Sequence, residues 1–452
     1  MSARHSKRVR GTRQGSTKRK SRPASDTAWP TLSLQSNRAR GPVLITGGAG
    51  FIGTNLAHRF LSAGRPVRVF DNLSRPGVER NLQWLRTTHG DLVEVCVAQV
   101  QDLRALREAV QDVSQVFHFA AQVAVTTSLI DPLYDFEVNA RGTLNLLEAL
   151  RALDAPPPLI FTSTNKVYGD LKEVKLQTRQ GRYEPELGAL RESGFNEQWP
   201  LNFHSPYGCS KGAACQYVLD YARTFRLPAL VFRMSCIYGY HQFGNEDQGW
   251  VAHFLIRAIE DRPVTIYGDG RQVRDVLFVD DLIDAFLLAQ QNMGALAGQA
   301  FNIGGGPANT ISLLELIHLI EELQGRPPQI DFDTWRPADQ QYYVSDIKKF
   351  SAATGWLPKV GVRDGVRRLH QWLRESRHPL RPQLVNVTAL LATPNGYNGH
   401  NGKEAPSSNT NGDVTTGPER HFGRGRKSKI KKLFHSNGAG HRRTKQKLAK
   451  AV

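Results

Sequence analysis

The chain has 452 residues, 40% of them apolar and 22% charged, which is enough to bury a sizeable core. That composition excludes a collagen-like, disulfide-rich or wholly disordered protein. The formal charge of +18 first points to nucleic acid, but it is unevenly placed: residues 1–40 carry +10 and residues 381–452 carry +11, leaving −3 on residues 41–380. Two basic tails, read as disordered, flank a mildly acidic globule. In the second tail the run Arg426–Lys432, RKSKIKK, has the composition of a non-specific polyanion contact.

The N-terminus has no apolar h-region and no apolar run approaches the ~18 residues of a membrane span, so neither secretion nor membrane insertion is expected. Cys96, Cys209, Cys215 and Cys236 show no zinc spacing. They read as reduced thiols of a cytoplasmic enzyme, and no metal site is expected.

From Pro42 the pattern becomes regular. Val43–Thr46 reads as a buried strand, followed by a glycine loop and a helix ending near Gly64. Strands follow at Val67–Phe70 and Val93–Val97, a helix at Leu103–Val110 and a strand at Val116–Phe119. A long helix over Asp131–Leu150, a strand at Leu159–Ser163, a helix over Ser205–Arg226 and a strand at Ala229–Phe232 complete the first part. This alternation predicts an α/β fold, a Rossmann-like doubly wound parallel sheet over residues 41–235. Residues 236–380 are less regular and richer in Gly, Trp and Arg, as expected of a smaller α/β domain devoted mainly to substrate. It holds a capping box, Ser312 with Glu315, and ends with a helix around Trp372. From residue 381 the chain is low in complexity.

The loop Gly47-Gly48-Ala49-Gly50-Phe51-Ile52-Gly53 joins a predicted strand to a predicted helix. Gly47 permits a tight turn, Gly50 lets backbone approach a pyrophosphate, and Gly53 lets helix pack on strand. The helix N-terminus adds N–H groups and a positive dipole end. Asp71 closes the next strand, where an acid accepts hydrogen bonds from ribose hydroxyls and favours NAD; Arg75 nearby keeps NADP as the alternative.

Tyr207 and Lys211 stand four apart on a helix opened by Ser205-Pro206, with Ser as N-cap, so both side chains share a face. A free tyrosine is a poor base at neutral pH, and a neighbouring ammonium together with a positive nicotinamide ring is expected to lower its pKa. Thr164 closes a strand at its C-terminal end, where ligands bind in open parallel sheets.

The segments TGGAGFIG, HFAAQ (His118–Gln122), NARGTLNLLEA (Asn139–Ala149) and SPYGCSK (Ser205–Lys211) resemble the extended short-chain dehydrogenase/reductase family of NAD-dependent nucleotide-sugar epimerases and dehydratases. STNKVYGD (Ser163–Asp170), RMSCIYG (Arg233–Gly239), EDQGWVAHF (Glu246–Phe254), GDGRQVRDVLFVDDL (Gly268–Leu282) and WRPADQ (Trp335–Gln340) are similar to its branch that epimerises CDP-linked sugars at C2. The resemblance covers residues 41–375 and neither tail.

It implies that Gly47, Gly50, Phe51, Ile52 and Gly53 hold the NAD pyrophosphate and that Asp71 and Asn72 hold the ribose. Gln99 and Val100 lie where the family keeps an acid near the adenine; Gln99 still offers a donor and an acceptor. Ala120, Ala121 and Gln122 would line the nicotinamide, with Asn139 behind them. Thr164, Tyr207 and Lys211 match the catalytic set, the last two also touching the cofactor. Thr164, Asn165, Gln248, Gly249, Arg274, Arg336 and Asp339 would meet a nucleotide sugar. For Arg274 the alternative is an internal ion pair with Asp275 or Asp280. Tyr240-His241 replaces the family's Pro-Arg in a loop expected to touch substrate. A homodimer or homotetramer through the helices starting near Asp131 and Ser205 is implied.

Dehydratases of the family carry Asp-Glu after the catalytic Thr, the acid and base that elimination requires. Here Asn165-Lys166 stands there, so elimination is not expected, and the resemblance implies redox epimerisation, at C2 through a 2-keto sugar. The alternatives are a UDP-sugar 4-epimerase or, in another class, an inert nucleotide fold used for redox sensing or polyanion binding. The intact Thr/Tyr/Lys set argues against inertness.

Overall fold

A computed structural model describes residues 41–376. Both basic tails, with their predicted disorder and polyanion contacts, lie outside the described residues. The chain opens with β1 (Val43–Thr46), α1 (Phe51–Ser62), β2 (Val67–Asp71), α2 (Val78–His89), β3 (Val93–Val97), α3 (Leu103–Ala109) and β4 (Gln115–His118). It continues through α4 (Val125–Ile130), α5 (Pro132–Phe136), α6 (Gly142–Arg151), β5 (Leu159–Thr164), the hairpin β6 (Leu176–Arg179) and β7 (Arg182–Pro185), α7 (Gly188–Ser193), α8 (Ser205–Phe225) and β8 (Ala229–Met234). The remainder is β9 (Cys236–Tyr238), α9 (Trp250–Ile259), β10 (Val264–Tyr267), β11 (Val273–Phe278), α10 (Val279–Gln291), α11 (Met293–Leu296), β12 (Ala300–Ile303), β13 (Thr310–Ser312), α12 (Leu313–Gln324), β14 (Ile330–Asp333), β15 (Tyr342–Tyr343), α13 (Lys348–Thr354) and α14 (Val362–Ser376).

Seven strands form one parallel sheet in the order β12-β8-β5-β4-β1-β2-β3. Its central strands are apolar on both faces because helices cover both. Val43 and Ile45 enter one core layer with Leu56, Phe117 and Phe232, while Leu44, between them, enters the other with Phe161, Leu147 and Val218. Each such side chain, wholly buried, contributes about 1.5–3 kcal/mol. The strand order reverses between β1 and β4, which opens a crevice at their C-terminal ends.

Two departures from the predicted elements bear on the site. The helix expected over Asp131–Leu150 is interrupted by a π-helical turn at Glu137–Arg141, the kind of bulge that re-aims a side chain, and Asn139 sits in it. α2 was not foreseen, because its buried stripe is only Val78, Asn81, Leu82 and Leu85 in an otherwise polar run.

Beyond residue 235 the chain crosses between two regions. β11 is the hub of the smaller one, pairing with β9, β13 and β15, and β10 pairs with β14. α10 returns to α1, where Asp284 meets Arg59 at 3.2 Å, and β12 pairs with β8 in the large sheet. Conversely, the β6–β7 hairpin and Phe195, early in the chain, dock on the smaller region: Arg182 pairs with Glu315 at 3.1 Å and the Phe195 N–H donates to Val344 O at 2.8 Å.

Candidate active site

The glycine loop stands at the crevice. Gly47 has φ +69°, and a Cβ there would lie 2.7 Å from Ala120 N, so both turn and close approach require glycine. A Cβ on Gly53 would meet Gly47 O at 2.3 Å; the packing it protects is helix against loop. Gly50 differs: its Cβ would meet only Gly47 O, at 3.1 Å, with the other side open. Phe51 and Ile52 open α1, whose N-terminus has no side-chain cap, so its first N–H groups are free for an anion.

Asp71 closes β2. Its Oδ2 accepts from Ala49 N at 3.1 Å and its Oδ1 from Leu73 N at 2.9 Å, leaving lone pairs on both oxygens for hydroxyl donors. Burial raises its pKa, against those N–H groups and the charge of Arg75. Asn72 spends its side-chain carbonyl on Ser74. Gln99 is exposed beyond β3, and Val100 is buried with its carbonyl taken by Asn145 at 3.2 Å. Across the crevice, Ala120 and Ala121 lead to Gln122, whose backbone is bound on both sides by Asn139: N to Oδ1 at 2.9 Å and O from Nδ2 at 3.0 Å. Asn139 Nδ2 also donates to Asp135 and Ser210, each at 3.1 Å. The buried atoms Gln122 Oε1, Thr126 Oγ1 and Ser163 Oγ have no protein partner. A cradle of backbone N–H groups, an acid at the ribose position and unsatisfied polar atoms along the far wall fit a dinucleotide.

Thr164, Tyr207 and Lys211 converge at the C-terminal end of β5. Ser205 sits at φ +66° with its Oγ accepting from Gly208 N at 3.2 Å, although the residue preceding α8 is His204. That turn delivers Tyr207, 9% exposed, into the crevice beside Thr164, 8% exposed. Burial pushes the Tyr207 pKa up to about 12; the Thr164 side chain and Arg75 pull it down and Asp135 pushes it up. Lys211 is held elsewhere, its Nζ donating to Thr162 O at 2.7 Å and standing 4.4 Å over the Phe161 ring. Burial lowers its pKa to about 7.

The proposed substrate residues form two groups. In the first, Asn165 Nδ2 donates to Gln340 Oε1 at 3.1 Å, and Gln340 Nε2 donates to Gly169 O at 2.7 Å, bolting the turn after Thr164 to the 335–340 loop. Arg274 Nη2 pairs with Asp339 Oδ1 at 2.9 Å and also reaches Gln340 O. The internal pair with Asp275 or Asp280 does not form. Asp275 points to the opposite face of β11, where Ser235 and Gly306 N donate to it, and Asp280 lies on α10. In the second group, Gln248 accepts from Arg75 at 2.6 Å, Gly249 (φ +77°) opens α9, and Arg336 lies 3.9 Å over the Tyr267 ring and donates to Glu246 O at 2.9 Å.

Three side chains here were not foreseen as site residues: Lys166, whose Nζ lies 3.4 Å from Asp339; Gln340; and Arg75 as the link from cofactor loop to Gln248. Their side-chain partners here stand 171 to 175 positions away, which no local pattern reveals. The rings of Tyr240 and His241 pack on Phe278, Trp84 and Trp372, and their carbonyls accept from Asn55 and Asn81. Asn81 also donates to Ala49 O, so this loop braces the glycine loop from behind.

A dinucleotide cleft at the switch point of a doubly wound sheet, facing a buried Thr–Tyr–Lys set, defines a Rossmann-type enzyme. The chain belongs to the NAD dependent epimerase/dehydratase family, whose model matches residues 43–304. It is 45% identical over 342 residues to the CDP-paratose 2-epimerase of Salmonella typhi, spanning 73% of this chain and 98% of that protein. Among solved structures it is similar to UDP-glucose 4-epimerase of Thermus thermophilus in complex with NAD, with a TM-score of 0.62 and 32% identity over 74% of this chain and 99% of the other. It is also similar to UDP-glucuronic acid 4-epimerase of Bacillus cereus in complex with UDP-glucuronic acid and NAD, with a TM-score of 0.64 and 27% identity over 74% and 99%. Among the described residues no helix is long and apolar enough to cross a membrane.

Proposed function

We propose that the chain is a nucleotide-sugar epimerase that inverts C2 of a CDP-linked sugar, as CDP-paratose 2-epimerase does by name. The observation that carries the reaction type is the turn after Thr164. It holds Asn165 and Lys166, engaged with Gln340 and Asp339, where elimination would require an acid and a base. The identity to the Salmonella protein, over nearly its whole length, supports the carbon and the base.

Gly50 and the first turn of α1 would hold the pyrophosphate of NAD, Asp71 its ribose, and Gln122 its nicotinamide. Bound NAD supplies reversible two-electron chemistry at the sugar carbon. Tyr207 Oη takes the proton of the C2 hydroxyl as the carbon is oxidised and returns it after the 2-keto sugar has presented its other face. Thr164 Oγ1 steadies the same oxygen. Because Tyr207 lies so high without ligand, the phenolate depends on positive charge in the closed site, of which Arg75 is the fixed part. Near-complete burial of Thr164 and Tyr207 keeps water from the intermediate.

Assaying CDP-, UDP-, GDP- and dTDP-sugars for epimer formation tests this. Inversion of a UDP-sugar at C4, with CDP-sugars untouched, favours the second reading. The enzyme is read as a homodimer, or a tetramer built from it, through α4, α5 and α8. Ile130 is 85% exposed, Leu133 78% and Phe136 52%, and Tyr217 and Phe225 are exposed on α8. All four cysteines are free, in keeping with a reducing cytoplasm. The basic tails would add salt-sensitive polyanion contact, absent from a chain lacking them.

A further inference from the structure

We propose that Lys166 binds the sugar-attached phosphate of the substrate and thereby brings C2, rather than C4, to Tyr207. This rests on the nucleotide-sugar function above.

Lys166 is tied to the catalytic threonine through its own backbone, since its N–H donates to Thr164 Oγ1 at 3.2 Å. Its side chain runs from there, 20% exposed, to place Nζ 3.4 Å from Asp339 Oδ1. The same oxygen takes Arg274 Nη2 at 2.9 Å. Two largely buried cations thus share one carboxylate, which leaves one positive charge unmatched in a site of low polarity. A diphosphate supplies the missing negative charge. The arrangement is rigid: the Asn165–Gln340–Gly169 bonds lock the turn to the loop that carries Asp339.

The stereochemistry of the substrate gives the position its meaning. In a nucleoside-diphosphate sugar C1 bears the phosphate, C2 is its neighbour, and C4 lies across the ring. An enzyme acting at C2 must hold the phosphate close beside the groups that receive the hydroxyl. An enzyme acting at C4 must hold it a ring-width away. Arg274 reaches the site from β11, whereas Lys166 is two residues beyond Thr164 and is the cation built into the hydroxyl-binding turn itself. A cation there places the reacting carbon next to the phosphate.

The test uses the NAD-loaded full chain and the variants Lys166→Met and Lys166→Arg. CDP and CMP, which differ by the phosphate in question, are titrated calorimetrically, with UDP and UMP in parallel. Lys166→Met should lose about 10- to 100-fold in CDP affinity, as for one charge-assisted bond, and leave CMP affinity within about twofold. Its kcat/KM for the CDP-sugar should fall at least as far, with bound NAD unchanged, and Lys166→Arg should restore most of the CDP affinity. A wild-type CDP-to-CMP ratio in Lys166→Met, or an equal loss of both ligands, overturns the assignment. Inversion at C4 by the wild-type enzyme would instead refute the C2 reading, and it shows in the product before any variant is made.

Discussion

In the proposed NAD site, Gly50 would serve the ligand and Gly53 the packing of one loop. A methyl group at position 53 would stand 2.3 Å from Gly47 O and 2.6 Å from Gly48 Cα, both backbone atoms of a loop pinned against Ala120. α1 would have to move, and overpacking of this kind costs about 1–3 kcal/mol. At position 50 the methyl meets only Gly47 O at 3.1 Å, and the backbone there, φ −69° and ψ 173°, is open to any residue. Gly50→Ala should therefore stay within about 0.5 kcal/mol of the wild type. Its methyl projects over the N–H groups that would receive the pyrophosphate, so NAD affinity should fall at least about tenfold, or ~1.4 kcal/mol. Because bound NAD itself raises stability, urea unfolding is compared on NAD-stripped protein and NAD content is measured separately on protein as purified. Full NAD in Gly50→Ala, or wild-type stability in Gly53→Ala, would refute this division of labour.

The catalytic assignments and the fold make further predictions. Tyr207→Phe should abolish epimerisation and keep NAD; retained turnover would remove the role given to Tyr207. Thr164 holds the Tyr207 pKa down, and the base is the deprotonated form, so Thr164→Val should move the acid limb of the pH–rate profile to higher pH; an unmoved limb counts against their contact. His118 is buried between the hydroxyls of Thr46 (2.6 Å) and Thr143 (3.1 Å), with its pKa lowered to about 3 by burial. Below pH ~6.5 the unfolded chain takes a proton that the folded one refuses until about pH 3, so this histidine removes about 1.4 kcal/mol of stability per pH unit across that window. Urea unfolding at pH 7 and pH 5 should show about 2 kcal/mol more loss in the wild type than in His118→Gln; equal losses would mean that the ring charges in place. Leu133→Glu should convert the proposed dimer to a monomer in sedimentation, and an unchanged state would place the interface elsewhere.

Much of this was legible where the determinant is local. β1 is a run of three apolar residues closed by a threonine, the glycine loop is contiguous, and Tyr207 and Lys211 share a helix face through spacing alone. What could not be read depends on the fold. Lys166 looks like any lysine after a strand until Asp339, 173 positions on, is brought beside it. The spacing of Tyr207 and Lys211 suggests an ammonium acting on a phenol, but burial decides both pKa values and sends Lys211 to a backbone carbonyl. Tyr240-His241 departs from the family in a loop near the substrate in sequence. Its rings pack on Phe278, Trp84 and Trp372, contacts brought together from distant parts of the chain.

The charge arithmetic raises the question of how a core at −3 retains a diphosphate. The site answers with cations that already have partners: Arg274 and Lys166 on Asp339, Arg336 on Tyr267 and Glu246, Arg75 on Gln248. Without those partners the buried cations would be costly to desolvate, and any small anion would satisfy them. With them, the cations are held at set positions, and the charge that Asp339 leaves unmatched is open to an anion. A nucleoside diphosphate would bring two phosphates and a nucleoside to these positions, whereas free phosphate brings one charged group. On the proposed function, selectivity for the nucleotide sugar over free phosphate would follow from cations held at fixed positions, with no broad basic field.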